Sequence, residues 1–80
     1  MTDQEALAQI TDIFRDILDD DSIILQPEST AEDIEEWDSL THIQLIVAIE
    51  KKFRIKFSTS EINGFKNVGE MCGAVVKKKS

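Results

Sequence analysis

The sequence predicts an all-α fold, a small four-helix bundle of three longer helices and one short one. Three observations predict it. Apolar residues recur at three- and four-residue steps in separate segments, polar capping patterns stand at the starts of those segments, and neither a hairpin signal nor an internal repeat interrupts them. Eighty residues make one small domain, spanning residues 1–80, with room for one modest core but not for a deep cleft walled by several layers.

The first helix opens on TDQE at residues 2–5, a capping box in which Thr2 accepts from a backbone N–H while Glu5 reaches back to another. Leu7, Ile10, Ile13, Phe14, Ile17 and Leu18 follow on one stripe, which is expected to face the core. Asp19 to Asp21 end the pattern. From there to Asp38 the chain contains Pro27, several Ser and Thr residues and many carboxylates, the signature of a long loop, and loops of this length are usually functional. Ile23, Ile24 and Leu25 are expected to tack that loop down, and Thr30 to Glu36 to form a turn or two of helix with Ile34 inward.

Leu40, Ile43, Ile46, Val47, Ile49 and Phe53 form the second main helical stripe, starting directly after Asp38–Ser39. STSE at residues 58–61 is another capping box and opens a short helix carrying Ile62 and ending near Gly64. NVGE at residues 67–70 starts the last helix, with Val68, Met71, Cys72 and Val75 inward. Lys77 to Lys79 lie near its C-terminus, where cations suit the dipole.

Composition narrows the function. Apolar residues are 41% of the chain and Pro and Gly are scarce, which is a globular composition. The net charge of −7 conceals a division, because residues 1–38 hold thirteen Asp/Glu against Arg15 alone, while residues 39–80 hold three Glu against eight Lys/Arg. The acidic half repels phosphate backbones, and the basic residues lack the interleaved aromatics that stack bases, so nucleic acid is excluded as an expected partner. Basic surfaces on other proteins suit the acidic face. A single cysteine forms no internal disulfide, and neither a leader nor a run long enough to span a bilayer is present, so a cytoplasmic protein without membrane insertion is expected.

An enzyme needs a nucleophile with its base and orienting group, or a metal cluster, in a walled pocket. His42 is the only histidine, Cys72 lies on an apolar stripe where a thiol packs rather than reacts, and DDDS at residues 19–22 fails as a calcium loop because Ile23 occupies the third alternate position. No catalytic or metal site is therefore expected. Trp37 reads as an anchor for the end of the loop, and His42, four residues after Asp38, as a solvated histidine. The remaining question is Ser39 in EEWDSLTHIQL, which is either a helix cap or a hydroxyl displayed for chemistry.

WDSLTHIQLIVAIEKKF resembles the prosthetic-group helix of an acyl carrier protein, a family marked by Asp-Ser-Leu at the start of the second helix of a four-helix bundle. The likeness covers nearly the whole chain, from the first helix and the long acidic loop through Asp38-Ser39-Leu40 to IKFSTSEI and the final helices. It implies a carrier rather than an enzyme, with 4′-phosphopantetheine from coenzyme A attached covalently to Ser39 and an acyl group held on the arm as a thioester. A phosphodiester there would meet the free N–H groups and positive end of the helix dipole.

The resemblance further implies that Asp38, Leu40, Ile43, Gln44 and Val47 are read by partners, and that Ile46, Ile49, Phe57, Ile62, Phe65 and Met71 line an acyl-chain cavity. The implied partners are a phosphopantetheinyl transferase, an acyl-loading ligase and acyl- or ketosynthase-type enzymes, acting on a monomer. Departures from the family's pattern are Trp37 where Gly-x-Asp-Ser-Leu is typical, Gln44 where a Glu is common, and the cations Lys51, Lys52, Arg54 and Lys56. Ile62, Phe65 and Met71 are also bulkier than usual. These departures point away from primary fatty-acid synthesis toward a dedicated carrier in polyketide formation or in lipid or surface-polysaccharide acylation. An aminoacyl carrier, D-alanyl or peptidyl, is the alternative, and an unmodified helical adaptor the distant one.

Overall fold

The computed structural model describes residues 1–79, so Ser80, the last residue of the expected domain, lies outside the described residues. Four helices follow in order: α1 (Asp3–Ile17), α2 (Ser39–Phe53), α3 (Thr59–Gly64) and α4 (Val68–Lys79). No strand occurs among the described residues, and none of their helices is long and apolar enough to cross a membrane. The expected three longer helices and one short one are all present.

α1 begins where the capping box placed it. Thr2 Oγ1 accepts from the Glu5 N–H at 3.1 Å, and the Glu5 carboxylate accepts from the Thr2 N–H at 3.0 Å. Its buried face consists of Ala6, Ile10, Ile13 and Phe14, with Leu7, Ile17 and Leu18 half-buried beside it. The helix stops at Leu18, and Asp19 takes a left-handed backbone (φ 53°), a conformation that Asp tolerates better than most residues.

The loop over residues 19–38 departs from expectation in two places. Ile23 and Leu25 are buried but Ile24 is 74% exposed, because neighbours along extended chain point to opposite sides and only alternate residues reach the core. Thr30 to Glu36 form turns rather than helix. Asp33 turns its carboxylate back onto the Thr30 N–H at 3.0 Å, a local bond that competes with the helical ladder, while Ile34 still packs half-buried against the core.

The loop is tied to the helices it crosses. Arg15 Nε donates to the Ile23 carbonyl at 2.8 Å, and the carbonyls of Ser29 and Pro27 accept from the Val68 and Gly69 N–H groups at 2.9 and 2.7 Å. Those two bonds satisfy donors that the start of α4 would otherwise leave open. Gly69 permits the approach, since a Cβ there would stand 2.9 Å from the Pro27 carbonyl oxygen.

α1 packs against both α2 and α4. α2 contributes Leu45, Ile46, Ile49 and Phe53 to the shared core, and α4 contributes Val68, Met71, Cys72 and Val75, the four positions expected of it. α3 buries no residue fully. It is held by edge contacts: the Phe57 and Phe65 rings meet edge to face at 5.2 Å, and Lys78 pairs with Glu61 at 3.1 Å.

Candidate functional site

The start of α2 decides what Ser39 does. Asp38, not Ser39, is the N-cap: its Oδ1 accepts from the Leu40 N–H at 3.0 Å and from the Thr41 N–H at 2.9 Å. Thr41 completes the box, its Oγ1 accepting from the Asp38 N–H at 2.8 Å and donating to the Glu36 carbonyl at 2.9 Å. Ser39 is the first helical residue, exposed, and its hydroxyl makes no hydrogen bond among the described residues. The cap is supplied next door and the serine is left over.

The Asp38 carboxyl is held below the usual carboxylate range, chiefly by the Thr41 backbone N–H, then by the Thr41 hydroxyl and the Leu40 N–H. This revises one expectation. The first-turn donors foreseen as meeting a phosphodiester are already engaged by a neighbouring carboxylate, so an anion on Ser39 gains from the helix dipole but not from those N–H groups. Exposure to solvent is what makes a charged group tolerable here.

The residues flanking Ser39 are fixed firmly. Trp37 is buried, its ring edge-on to Phe14 at 5.0 Å, which is the anchoring role expected of it. His42 differs from the expected solvated histidine. It is half-buried, its Nδ1 accepts from Trp37 Nε1 at 3.1 Å, its ring stacks on the indole at 6.0 Å, and its Nε2 lies 3.1 Å from the Ile62 carbonyl oxygen. The Nε2–H tautomer satisfies both bonds, since the indole can only donate and the carbonyl can only accept. One imidazole thereby joins the loop end, α2 and α3.

Beside Ser39 opens a cleft of ≈ 500 Å³ between α2 and the α3–α4 link. Ile43, Ile62 and Phe65 give it an apolar side, and Asp38, Asn63 and Lys66 a polar one. Of the six residues expected to line an acyl cavity, Ile62 and Phe65 are found here. Ile46, Ile49 and Met71 are packed in the core, and Phe57 is buried against the Phe65 ring.

The five residues expected to face partners are all exposed: Asp38 and Gln44, with Leu40 at 71%, Ile43 at 51% and Val47 at 42%. Burial, with a smaller push from the Asp3 charge, raises the Cys72 thiol to about 11, so it stays protonated and packs as expected. Sequence reading passed over Thr41, although D-x-x-T at residues 38–41 has the spacing of a capping box. It also passed over Asn63 and Lys66, which reach the cleft only through tertiary folding.

Residues 8–75 match the family defined by a phosphopantetheine attachment site. The chain is 27% identical over 70 residues to an acyl carrier protein of Acidothermus cellulolyticus, covering 88% of this chain and 83% of that one. It is also similar to the solution NMR structure of the holo acyl carrier protein from Geobacter metallireducens, at 48% identity and a TM-score of 0.86, over 91% of this chain and 84% of that one.

Proposed function

This chain belongs to the phosphopantetheine attachment site family, and on that footing we propose that Ser39 bears the prosthetic group and that the protein serves a specialised acylation pathway. It is an acyl carrier protein, not an enzyme, and its prosthetic group is 4′-phosphopantetheine. That group supplies a flexible arm ending in a thiol, on which the acyl cargo is held.

The observation that carries the assignment to Ser39 is its hydroxyl, exposed and without a hydrogen bond because Asp38 caps the helix. Displacing it into a phosphodiester therefore sacrifices no bond of the fold. Trp37 and His42 hold the backbone on either side, so the attachment point is rigid while the arm is free. Modifying and acyl-handling enzymes are the partners such a carrier meets. Leu40, Ile43 and Val47 present the apolar contact and Asp38 and Gln44 the polar one for a phosphopantetheinyl transferase, an acyl-loading ligase and acyl- or ketosynthase-type enzymes.

The pathway reading rests on Gln44, on the cations after Val47 and on the character of the cleft. A dedicated carrier in polyketide formation or in lipid or polysaccharide acylation suits them better than primary fatty-acid synthesis. Because the cleft beside Ser39 is partly polar, with Asn63 and Lys66 on its wall, it suits a short or polar cargo, and an aminoacyl group is the second reading. A cytoplasmic setting agrees with an arm that must keep its thiol reduced.

The test is incubation with coenzyme A, magnesium and a broad phosphopantetheinyl transferase, followed by intact-mass measurement. The wild type is expected to gain one arm, and Ser39→Ala none while keeping its helicity. An unmodified wild type, or a modified Ala variant, overturns the assignment.

A further inference from the structure

The solvent face of α2 changes character along its length. Leu40, Ile43 and Val47 lie three and four residues apart and form one exposed apolar strip, and the same spacing continues to Lys51 and Arg54. At a rise of about 1.5 Å per residue the strip runs roughly 20 Å from the Ser39 end to the basic end. In the chain just before Ser39 stand the exposed carboxylates of Glu32, Asp33, Glu35, Glu36 and Asp38, with Lys66 the one cation lining the adjacent cleft. At the far end Val47 and Ile55 floor a second cleft, of ≈ 410 Å³, whose charged walls are Lys51, Arg54, Lys56 and Glu50. Glu50 is committed to the fold, its Oε2 accepting from the Phe57 N–H at 2.8 Å.

Helix-dipole compensation accounts for only part of this basic end. It suits Lys51 and Lys52 in the last turn, but it fades beyond that turn, and Lys56 lies past the helix. None of Lys51, Lys52, Arg54 and Lys56 forms an ion pair among the described residues, although the chain holds sixteen carboxylates. Arg54 moreover occupies the left-handed C-cap (φ 58°), a position where glycine would relieve the backbone. Three cations without ion pairs, Lys51, Arg54 and Lys56, border an apolar floor that continues the exposed strip, and Arg54 sits on strained backbone.

We propose that this face receives a protein enzyme whose contact surface is apolar against Leu40, Ile43 and Val47 and carries a carboxylate cluster against Lys51, Arg54 and Lys56. This rests on the carrier reading above and adds the chemistry of the partner. The charge order from acidic to apolar to basic admits one orientation along the helix, which aims the arm on Ser39 at one end of the contact; the reversed pose sets like charges together. A partner built to grip a uniformly acidic helix meets repulsion at the basic end.

The experiment uses the holo-protein as acyl acceptor, with the loading enzyme fractionated from the source cells by its transfer of acyl groups to wild-type holo-protein. Wild type, Lys51→Glu/Arg54→Glu/Lys56→Glu, and Arg54→Gly are each brought to the full holo form, verified by intact mass, and their folding is compared by thermal unfolding. At low salt the triple reversal is expected to lower kcat/KM about tenfold, with the gap closing as salt screens the contact. Arg54→Gly is expected to unfold at the same or a higher temperature yet load more slowly, which separates a role in docking from a role in folding.

Equal loading of the triple reversal and the wild type at low salt overturns the proposal. So does sedimentation showing a wild-type dimer that the reversal dissociates, since the occupant would then be the acidic half of a second copy. A wild type that accepts no arm at all strikes instead at the carrier reading.

Discussion

α1 and α2 are the same length, both open on a reciprocal capping pair, and both carry an apolar repeat at helical spacing, yet they use that repeat differently. In α1 the repeat is wholly a core face: Ala6, Ile10, Ile13 and Phe14 are buried, Leu7 and Ile17 pack at the margin, and the opposite side is polar. In α2 apolar residues lie on two faces. Leu45, Ile46, Ile49 and Phe53 go inward, while Leu40, Ile43 and Val47 face solvent. Their caps are inverted too. At α1 a hydroxyl caps and an acid closes the box, whereas at α2 an acid caps and a hydroxyl closes it. The lesson is that a helix serving only the core needs one stripe and a helix that also meets partners needs two. A serine beside an acid cap is thereby released from structural duty.

The largest effect expected from this difference is at Phe14. Phe14→Ala empties the centre of the α1 face and withdraws the edge-on partner of Trp37, so it should cost about 3–5 kcal/mol in urea unfolding. A loss under about 1 kcal/mol would mean that α1 is not the core helix described.

The caps come next. Thr2→Ala should cost about 0.5–2 kcal/mol. Asp38→Ala should destabilise in the same sense, with a dependence on pH that Asp38→Asn removes. Because hydrogen bonds depress the Asp38 carboxyl in the folded state, its charge contributes stability that is fully present above the ordinary carboxylate range. That contribution is lost as pH falls through this range toward the depressed value. Stability curves of wild type and Asp38→Ala should therefore stand furthest apart at neutral pH and converge in acid. Curves that stay parallel would remove the ionised cap from the account of α2.

The smallest effect on stability is expected where α2 differs most from α1. Leu40→Ala should change unfolding free energy by no more than about 0.5 kcal/mol, and Ile43→Ala and Val47→Ala, whose side chains are about half covered, by no more than about 1 kcal/mol each. The same substitutions should slow acyl loading of the holo-protein, a readout that a purely structural residue at an exposed position would not move. Large destabilisation with normal loading would collapse the distinction between the two helices.

Local chemistry carried much of this protein into its sequence. The stripes of α1 and α4, the boxes at Thr2 and Ser58, the short α3 and the inert packing of Cys72 follow from spacing and residue type, because hydrogen bonds three residues apart and faces of a helix are set within a few residues of chain. The Asp-Ser-Leu junction was legible for the same reason, and D38-x-x-T41 also held the answer to what caps α2.

Only the tertiary structure decided the rest. Spacing grouped Leu40, Ile43 and Val47 with Ile46 and Ile49, and omitted Leu45, because periodicity marks apolar faces without saying which one meets another helix. His42 looked solvated until Trp37, placed against Phe14, brought it a donor and the Ile62 carbonyl, twenty residues on, completed its bonds. Ile24 between two buried neighbours, and Asn63 and Lys66 beside Ser39, have the same origin. Where a side chain finds its partner within a turn or two of helix, the sequence suffices. Where the partner arrives from a distant segment, only packing chooses it.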